Sequence, residues 1–293
     1  MTYTIAGSNV GKRLGALCVA AAIAAVVTPA LADGAAEEME IPEALYTQKA
    51  GVDKEVELEF GFDNKATEKE YEVGAGASWV FLDRLQLGVD VPFGMRKPDE
   101  GSSERNIGDI EFSAKYQFLK AETDGLNFSL AADVAAPTGD RDKEIGGTGE
   151  WGVSALAGTL IDTGENFPDI GLHFELGYQQ QMRLSNEQKE AAEELEVDTI
   201  RQKEMVWNAA LNLPLLDGRL TPSFEVLGTT VLEAVDPSEE GTVVELGGGF
   251  WVNPFAEDDA LGPLSLGLAA KAPITDRRES DFSAMLVVKY EFE

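Results

Sequence analysis

The sequence predicts an all-β protein: a transmembrane antiparallel up-and-down β-barrel of about 12 strands that follows a cleaved signal peptide. Three observations favour this fold. From residue 55 onward, segments of about ten residues alternate apolar with polar or small side chains, which is the period of a β-strand. Short and long connections alternate along the chain, and aromatic side chains recur near both ends of the strands. Both patterns are typical of barrels with short periplasmic turns, long outer loops and an aromatic girdle at each membrane interface.

The N-terminus has the features of a secretory signal peptide. Lys12 and Arg13 precede an apolar run over residues 14–27, and Ala30-Leu31-Ala32 fits a cleavage site. The run is too short to cross about 30 Å of hydrocarbon as a helix, so we expect it to be removed rather than to anchor the chain. Cys18, the only cysteine, would leave with it. Neither a disulfide nor thiolate chemistry is therefore expected.

We expect three parts: a signal peptide over residues 1–32, a loose acidic N-terminal lead over 33–54, and the barrel over 55–293. The whole chain has 23 basic and 53 acidic residues and a net charge of −30. Loss of the two basic residues of the signal leaves 21 basic and 53 acidic residues, a net charge of −32. Such an acidic chain is not expected to bind nucleic acid, because phosphate contacts need clustered Lys and Arg.

Each predicted strand carries apolar residues on alternate positions, and the last is the plainest, with Phe282, Leu286 and Tyr290 on one face and Ser283, Val287 and Lys289 on the other. The ninth is the weakest, because Pro222 and Gly228 interrupt its pattern. In chain order, the predicted strands occupy residues 55–62, 70–81, 85–93, 110–118, 126–134, 151–161, 170–180, 205–213, 224–226, 244–252, 264–270 and 282–293.

The connections differ in length and charge. Leu82-Asp83-Arg84 reads as a tight turn, whereas residues 95–105 and 137–150 are long and polar. Residues 181–204 form the longest interruption, and their Glu- and Lys-rich stretch is compatible with a surface helix. The acidic outer loops also fit Ca²⁺ binding, but without a recognised calcium-loop spacing a solvated charged loop is the favoured interpretation.

Several motifs resemble the outer-membrane family named for the MetA pathway of phenol degradation. They are Asn-Ile-Gly-Asp-Ile at 106–110, Lys-Tyr-Gln-Phe at 115–118, Ala-Pro-Thr-Gly-Asp at 136–140 and Gly-Thr-Gly at 147–149. The resemblance implies an outer-membrane transporter-type barrel linked to hydrophobic or aromatic compounds. It also implies assembly by the outer-membrane insertion machinery. The apolar face of the strands separately predicts the lipid bilayer as a partner, and the acidic outer loops fit bridging to lipopolysaccharide through divalent ions. The usual C-terminal aromatic signal is displaced by one residue, since Glu293 follows Phe292.

The face opposite the apolar one is expected to line the lumen, and it is strongly acidic. If water fills the lumen, this lining favours cations. A barrel of this size has a backbone radius of roughly 12 Å, which leaves either a narrow channel or a packed interior. Lumenal glycines either make room or ease curvature. The lumen-lining candidates are Glu57, Glu72, Asp90, Asp109, Glu111, Lys115, Asp133, His173, Glu175, Glu225, Glu245 and Lys271.

No catalytic, cofactor or metal site is predicted. His173 is the only histidine, and position 175 on the same face is Glu rather than a nucleophile. A metal site would usually want more than one soft or imidazole ligand. An outer-membrane enzyme is therefore disfavoured. The leading hypothesis is a passive channel or transporter for small solutes, and the alternative is a structural or partner-binding barrel without transport.

Overall fold

In the computed structural model, the described residues are 44–143, 145–164, 168–186, 188–189, 201–234, 240–255, 264–277 and 280–292. The predicted signal peptide and residues 33–43 of the predicted lead lie outside them. Among the described residues, no helix is long and apolar enough to cross a bilayer.

The described residues include thirteen strands, a short helix, α1 (Ala121–Asp124), and a 3₁₀ turn (Arg141–Lys143). The strands are β1 (Lys54–Asn64), β2 (Glu68–Phe81), β3 (Leu85–Pro98), β4 (Glu104–Ile107), β5 (Ile110–Leu119), β6 (Asn127–Ala136), β7 (Glu150–Ile161), β8 (Ile170–Gln181), β9 (Lys203–Asn212), β10 (Leu220–Glu233), β11 (Gly241–Val252), β12 (Leu264–Pro273) and β13 (Phe282–Phe292).

The strands close into an antiparallel barrel in which sequential neighbours pair. The first and last strands complete the closure, from Lys54 opposite Phe292 to Asn64 opposite Phe282. The short β4 pairs only with the outer part of β3, beyond the β3–β5 ladder. It therefore continues the position of β5 in the barrel and does not add a further strand to the ring. The ring thus has twelve strands, as the alternation predicts. Among the described residues, each of the twelve strands of the closed ring pairs on both sides, so that backbone groups are satisfied as a bilayer requires.

The outward face is apolar and exposed. Trp79 is 54%, Phe112 55% and Phe224 60% accessible, exposures that a water-soluble barrel would not repeat around its circumference. Aromatic rings meet at both ends of the strands, including Trp79 with Phe292 at one end and Trp151 with Tyr178 at the other. The outward face therefore matches a lipid-facing band between two girdles, as the sequence predicts.

Two short connections have the same backbone geometry. Leu82 and Asp83 both adopt positive φ, as do Leu216 and Asp217. Paired left-handed residues form the tight hairpin turn whose twist matches that of the flanking strands. These turns lie at the same end as Lys54 and Phe292, the ends of β1 and β13. We assign that end to the periplasm, where barrels of this class have short turns.

Two stretches differ from the sequence prediction. The residues predicted as a weak ninth strand belong to the 14-residue β10, which contains both Pro222 and Gly228. The predicted polar loop over residues 95–105 is partly strand, because β3 runs to Pro98 and β4 begins at Glu104. Beyond the bilayer a strand needs no lipid-facing apolar residues, so alternation cannot reveal it. Within the predicted interruption over residues 181–204, Asn186, Gln188 and Lys189 are helical, and the rest of the Glu- and Lys-rich stretch predicted as a surface helix lies outside the described residues.

Candidate functional site

Residues 44–53 cross the lumen in its periplasmic half, and we call them the lumenal segment. The segment precedes β1, yet it contacts strands on the far side of the barrel. Ala44, Thr47 and Ala50 are only 4%, 3% and 1% accessible. The sequence predicts a loose lead here, and that expectation is wrong for residues 44–53. Irregular backbone at membrane depth is tolerated where protein buries it, and here the wall supplies its hydrogen bonds.

Glu225 on β10 forms more of the described hydrogen bonds to the lumenal segment than the other wall residues do. Its carboxylate accepts hydrogen bonds from the backbone N–H of Leu45 at 2.8 Å, of Tyr46 at 3.1 Å and of Thr47 at 2.7 Å. It also accepts one from the Thr47 hydroxyl at 2.8 Å. Glu225 itself is 2% accessible. Hydrogen bonds to an ionised acceptor are stronger than neutral ones, so this carboxylate fixes the segment's N-terminal half.

Three further wall residues hold the middle of the lumenal segment. Glu175 on β8 accepts a hydrogen bond from the Gln48 backbone N–H at 3.3 Å. Lys115 on β5 donates to the Lys49 carbonyl oxygen at 3.0 Å, and the Ser129 hydroxyl donates to the Ala50 carbonyl oxygen. Because β5, β6 and β8 all contribute, the segment is bonded to the wall along its length.

Polar contacts of Lys49 and Asp53 hold the C-terminal end of the lumenal segment just before β1, and we call this group of contacts the anchor. The Asp53 backbone N–H donates to Gln86 Oε1 at 3.2 Å, and the Ser78 hydroxyl donates to the Asp53 carbonyl oxygen at 3.1 Å. The Lys49 ammonium lies 3.0 Å from the Asp53 carboxylate. Burial by itself raises the pKa of Asp53, but the nearby Lys49 ammonium outweighs it and lowers that pKa below its usual value.

Apolar contacts supplement these polar ones. Leu45 and Tyr46 pack against a buried cluster of Trp251, Ala269, Met285 and Val287 on β11, β12 and β13. Glycines provide the space for this packing. A Cβ on Gly247 would lie 3.3 Å from Tyr46 Cδ2, and a Cβ on Gly267 would lie 2.9 Å from Leu45 Cδ2. These inward glycines therefore make room for the segment.

Charged groups surround the Tyr46 ring. The Lys271 ammonium lies 5.5 Å from the ring centroid, a cation–π distance, and 2.8 Å from the Glu245 carboxylate. Burial, followed by the nearby Glu225 carboxylate, raises the pKa of the Tyr46 phenol. The ring therefore remains neutral at physiological pH.

The other lumen-lining candidates lie mainly opposite glycines on neighbouring strands. Glu57 and Asp90 both face Gly76, Glu72 faces Gly61, and Asp133 faces Gly152. A Cβ on Gly76 would come within 2.1 Å of Asp90 Oδ1, so glycine gives that carboxylate its space. Glu111 lies opposite Asp90 in the β3–β5 ladder. Asp90, Glu111 and Asp133 lie toward the outer side of the lumenal segment.

Asp109 has a different role from the wall carboxylates. It lies in the break between β4 and β5, where its carboxylate accepts backbone hydrogen bonds from Gly139 at 2.9 Å, Gly147 at 2.6 Å and Gly149 at 2.8 Å. The loop over residues 137–149 is thereby folded against the barrel mouth. Ile145 is 8% accessible, and its Cγ2 would lie 2.9 Å from a Cβ on Gly94, an inward position of β3. Asp109 thus organises the loop that covers this side of the mouth.

His173 on β8 is 1% accessible and lies opposite Ala210 and Gly158 in the ladder. Among the described residues, one group of carboxylates has oxygens close enough to share a cation: Asp53, Glu55 and Glu291. Lys289 lies 3.8 Å from Glu55 and 2.8 Å from Glu291, and Lys49 pairs with Asp53. The two ammonium groups pair with all three carboxylates and offset two of the three negative charges.

Comparison with known proteins establishes the family. Residues 43–250 match the family model described as "Putative MetA-pathway of phenol degradation". The chain belongs to this family. The matched range includes the lumenal segment, and the motifs that carry the resemblance in the sequence surround Asp109 and its loop. A comparison with curated proteins found no match.

One solved structure shares the fold, and two porins show a weaker likeness. An outer membrane channel from Pseudomonas putida F1 has a TM-score of 0.59 at 11% identity, over 86% of this chain and 100% of that one. NanC porin has a TM-score of 0.49 at 8% identity over 81% and 99% of the two chains, and KdgM porin 0.48 at 8% over 82% and 99%. Taken with the family, the closed barrel and its apolar band, this family member is an outer-membrane β-barrel.

Sequence reasoning found the wall residues but missed what they bind. It named Glu225, Glu175 and Lys115 as lumen-facing, and the structure places each against the lumenal segment. It did not single out Leu45, Tyr46 or Thr47. The Leu-Tyr-Thr stretch just before the first strand is the available signal, because it is the least charged part of an otherwise acidic lead.

Proposed function

We propose that this protein is a channel for passive passage of small solutes, and that the lumenal segment closes its bore until it is displaced. The observation that carries this proposal is the polar attachment of residues 44–53 to the wall. Five hydrogen bonds link the segment to Glu225, and four of them are at or below 3.1 Å from backbone N–H groups. Water can replace each of these hydrogen bonds, so we expect release of the segment to cost far less free energy than unfolding the barrel.

The acidic lining supports a preference for cations. Asp90, Glu111 and Asp133 gather toward the outer side of the segment, with no basic side chain opposite them in their ladders. A lumen lined by one sign of charge concentrates counter-ions. Hydrophobic or aromatic compounds remain candidate solutes through the family's description, which concerns phenol degradation.

Planar-bilayer recordings test this function. The purified protein is expected to conduct in brief events, with a reversal potential in a KCl gradient that indicates cation preference. Replacement of Glu57, Glu111 and Glu245 by Gln should move that potential toward zero. An unchanged potential would show that these charges do not govern selectivity.

The alternative is a structural or partner-binding barrel without transport, and the occupied bore is the observation that favours it. Release of the segment separates the two functions. A barrel that stays non-conducting after Glu225→Ala, with the segment shown to be displaced, would be a structural one.

We also infer that the outer-membrane insertion machinery assembles the barrel and that lipopolysaccharide contacts its acidic outer loops through divalent cations. The aromatic end of β13 supports the first inference, because Tyr290 and Phe292 are in ring contact beside β1. Coordination of hard divalent cations by carboxylates supports the second.

A further inference from the structure

The barrel wall contacts the lumenal segment mainly through the segment's main chain. In the described contacts, wall side chains accept hydrogen bonds from five segment N–H groups, those of residues 45–48 and 53. Wall side chains also donate to three segment carbonyl oxygens, those of residues 49, 50 and 53. By contrast, the described side-chain bond to the wall is that of the Thr47 hydroxyl. We call the six wall residues that make these main-chain contacts the peptide track: Ser78, Gln86, Lys115, Ser129, Glu175 and Glu225.

The two carboxylates of the peptide track are positioned by the wall itself. The Ser223 hydroxyl donates to Glu225 Oε1 at 3.2 Å, and the Asn208 side-chain amide donates to Glu175 Oε2 at 2.8 Å. Glu225 and Glu175 are 2% and 6% accessible. Because these two bonds do not involve the lumenal segment, we expect them to persist when it leaves, so that both carboxylates keep their orientation. A site held ready in this way binds a ligand at a smaller entropic cost.

The wall recognises side chains of the segment mainly at its N-terminal end. Leu45 and Tyr46 pack against the buried apolar cluster on β11–β13. Farther along, Gln48 is exposed, and the Lys49 ammonium pairs with Asp53 of the segment itself. The peptide track therefore favours apolar residues at two adjacent positions and makes little demand on the side chains that follow them.

We propose that the peptide track binds soluble oligopeptides of about six residues through their main chain, and that such a peptide competes with the lumenal segment. Every oligopeptide carries the same N–H and C=O groups, so it restores to Glu225 and Glu175 the donors that release of the segment removes. The acidic lining repels peptides with a net negative charge. Oligopeptides thus become a solute class of the channel, beside the compounds that the family's description names. The inference rests on the proposed function, because the track opens to a solute only when the segment leaves the bore.

The probe is the acetylated and amidated hexapeptide Leu-Tyr-Thr-Gln-Lys-Ala, a copy of residues 45–50, measured by titration calorimetry on the protein in micelles. In the protein, Thr47→Pro removes two donors to Glu225 and displaces the segment without changing the track. The apparent affinity for the peptide should rise at least tenfold, since it follows the fraction of protein whose track is open. Val52→Pro is the matched control, because the described residues offer the Val52 N–H no partner, and it should change the affinity less than twofold.

Peptide variants distinguish recognition of the main chain from recognition of side chains or charge. A peptide with ester oxygens in place of the Tyr and Thr N–H groups keeps every side chain, and should bind the Thr47→Pro protein at least tenfold more weakly. A peptide with Ser in place of Gln should bind within threefold of the parent peptide.

Wall variants locate the bound peptide. In the Thr47→Pro background, Glu225→Ala should abolish binding, whereas Glu111→Ala, outside the track, should not. Folding of each variant is checked by heat-modified gel mobility, and Leu45→Gly, which weakens the apolar contact of the segment, replaces Thr47→Pro if the latter misfolds.

Equal binding of the amide and ester peptides would overturn the inference, because the wall would then not recognise main-chain N–H groups. Block of the channel by peptide added on the periplasmic side alone would overturn the assignment to a solute and indicate the tail of a periplasmic protein. Conductance separates this inference from the proposed function. If Thr47→Pro conducts but does not bind the amide peptide, the channel stands and the track serves only the segment. If the amide peptide binds as expected but neither protein conducts, the track stands and the channel proposal fails.

Discussion

Glu225→Ala should release the lumenal segment. The Glu225 carboxylate accepts four hydrogen bonds from Leu45, Tyr46 and Thr47 at 2.7–3.1 Å, counting one for each donor group. A hydrogen bond to a charged group contributes about 1.5–3 kcal/mol, but bonds that share one acceptor are not additive. We therefore assign the carboxylate about 3 kcal/mol, which corresponds to roughly a hundredfold change in the ratio of seated to displaced segment.

A cysteine at position 50 measures that ratio. Ala50 is 1% accessible, so Ala50→Cys reacts with a water-soluble maleimide only when the segment is displaced. If reseating is fast compared with reaction, the labelling rate follows the displaced fraction. In the Glu225→Ala background we expect labelling to accelerate roughly a hundredfold, and Glu225→Gln should give a smaller increase because it keeps one acceptor oxygen.

Glu111→Ala is the matched control, because this lumenal carboxylate lies on β5 beside Asp90 and Ala135 in the ladders. It should leave the labelling rate of Ala50→Cys unchanged. A rate in Glu225→Ala within threefold of the parent would refute the reasoning, since the carboxylate would then not hold the segment.

The remaining predictions concern the mouth, the anchor and the terminal strand. Asp109→Ala removes three backbone hydrogen bonds from the loop over residues 137–149 and should speed proteolysis of that loop more than tenfold, whereas Asp142→Ala should not. The depressed pKa of Asp53 stabilises the seated segment above the usual pKa of an aspartate, and this is lost as pH falls through the depressed value. Labelling of Ala50→Cys should therefore rise on acidification, and Lys49→Gln should flatten that rise. Deletion of residues 290–293 should reduce the amount of heat-modifiable barrel in outer membranes, and normal insertion would contradict a role for this end in assembly.

The sequence predicted the barrel because lipid imposes a simple rule on every strand. Each outward side chain must be apolar, so the period of two is visible even though the identity to the Pseudomonas putida channel is only 11%. The same rule explains the errors. β4 and the end of β3 stand beyond the bilayer, and β10 continues through Pro222 and Gly228 because its neighbours supply the rest of the ladder.

The candidate site was predicted only in part. The alternation placed Glu225 and Glu175 on the inward face, and it left open whether lumenal glycines make room or ease curvature. Gly247 and Gly267 make room for Tyr46 and Leu45, a choice that depends on side chains about 200 residues away along the chain. Asp109 was expected on the lumen wall, but it binds three backbone N–H groups of a loop that follows it by 30 to 40 residues.

The sequence by itself determined which face of each strand meets lipid, how many strands close the barrel and that the lumen is acidic, because those properties repeat along the chain with a fixed period. Tertiary structure alone decided that residues 44–53 cross the bore. These residues have no repeating pattern, and their wall partners lie 25 to 180 positions away. A contact of that separation exists only once the barrel has closed and brought Glu225, Glu175 and Lys115 around a common axis.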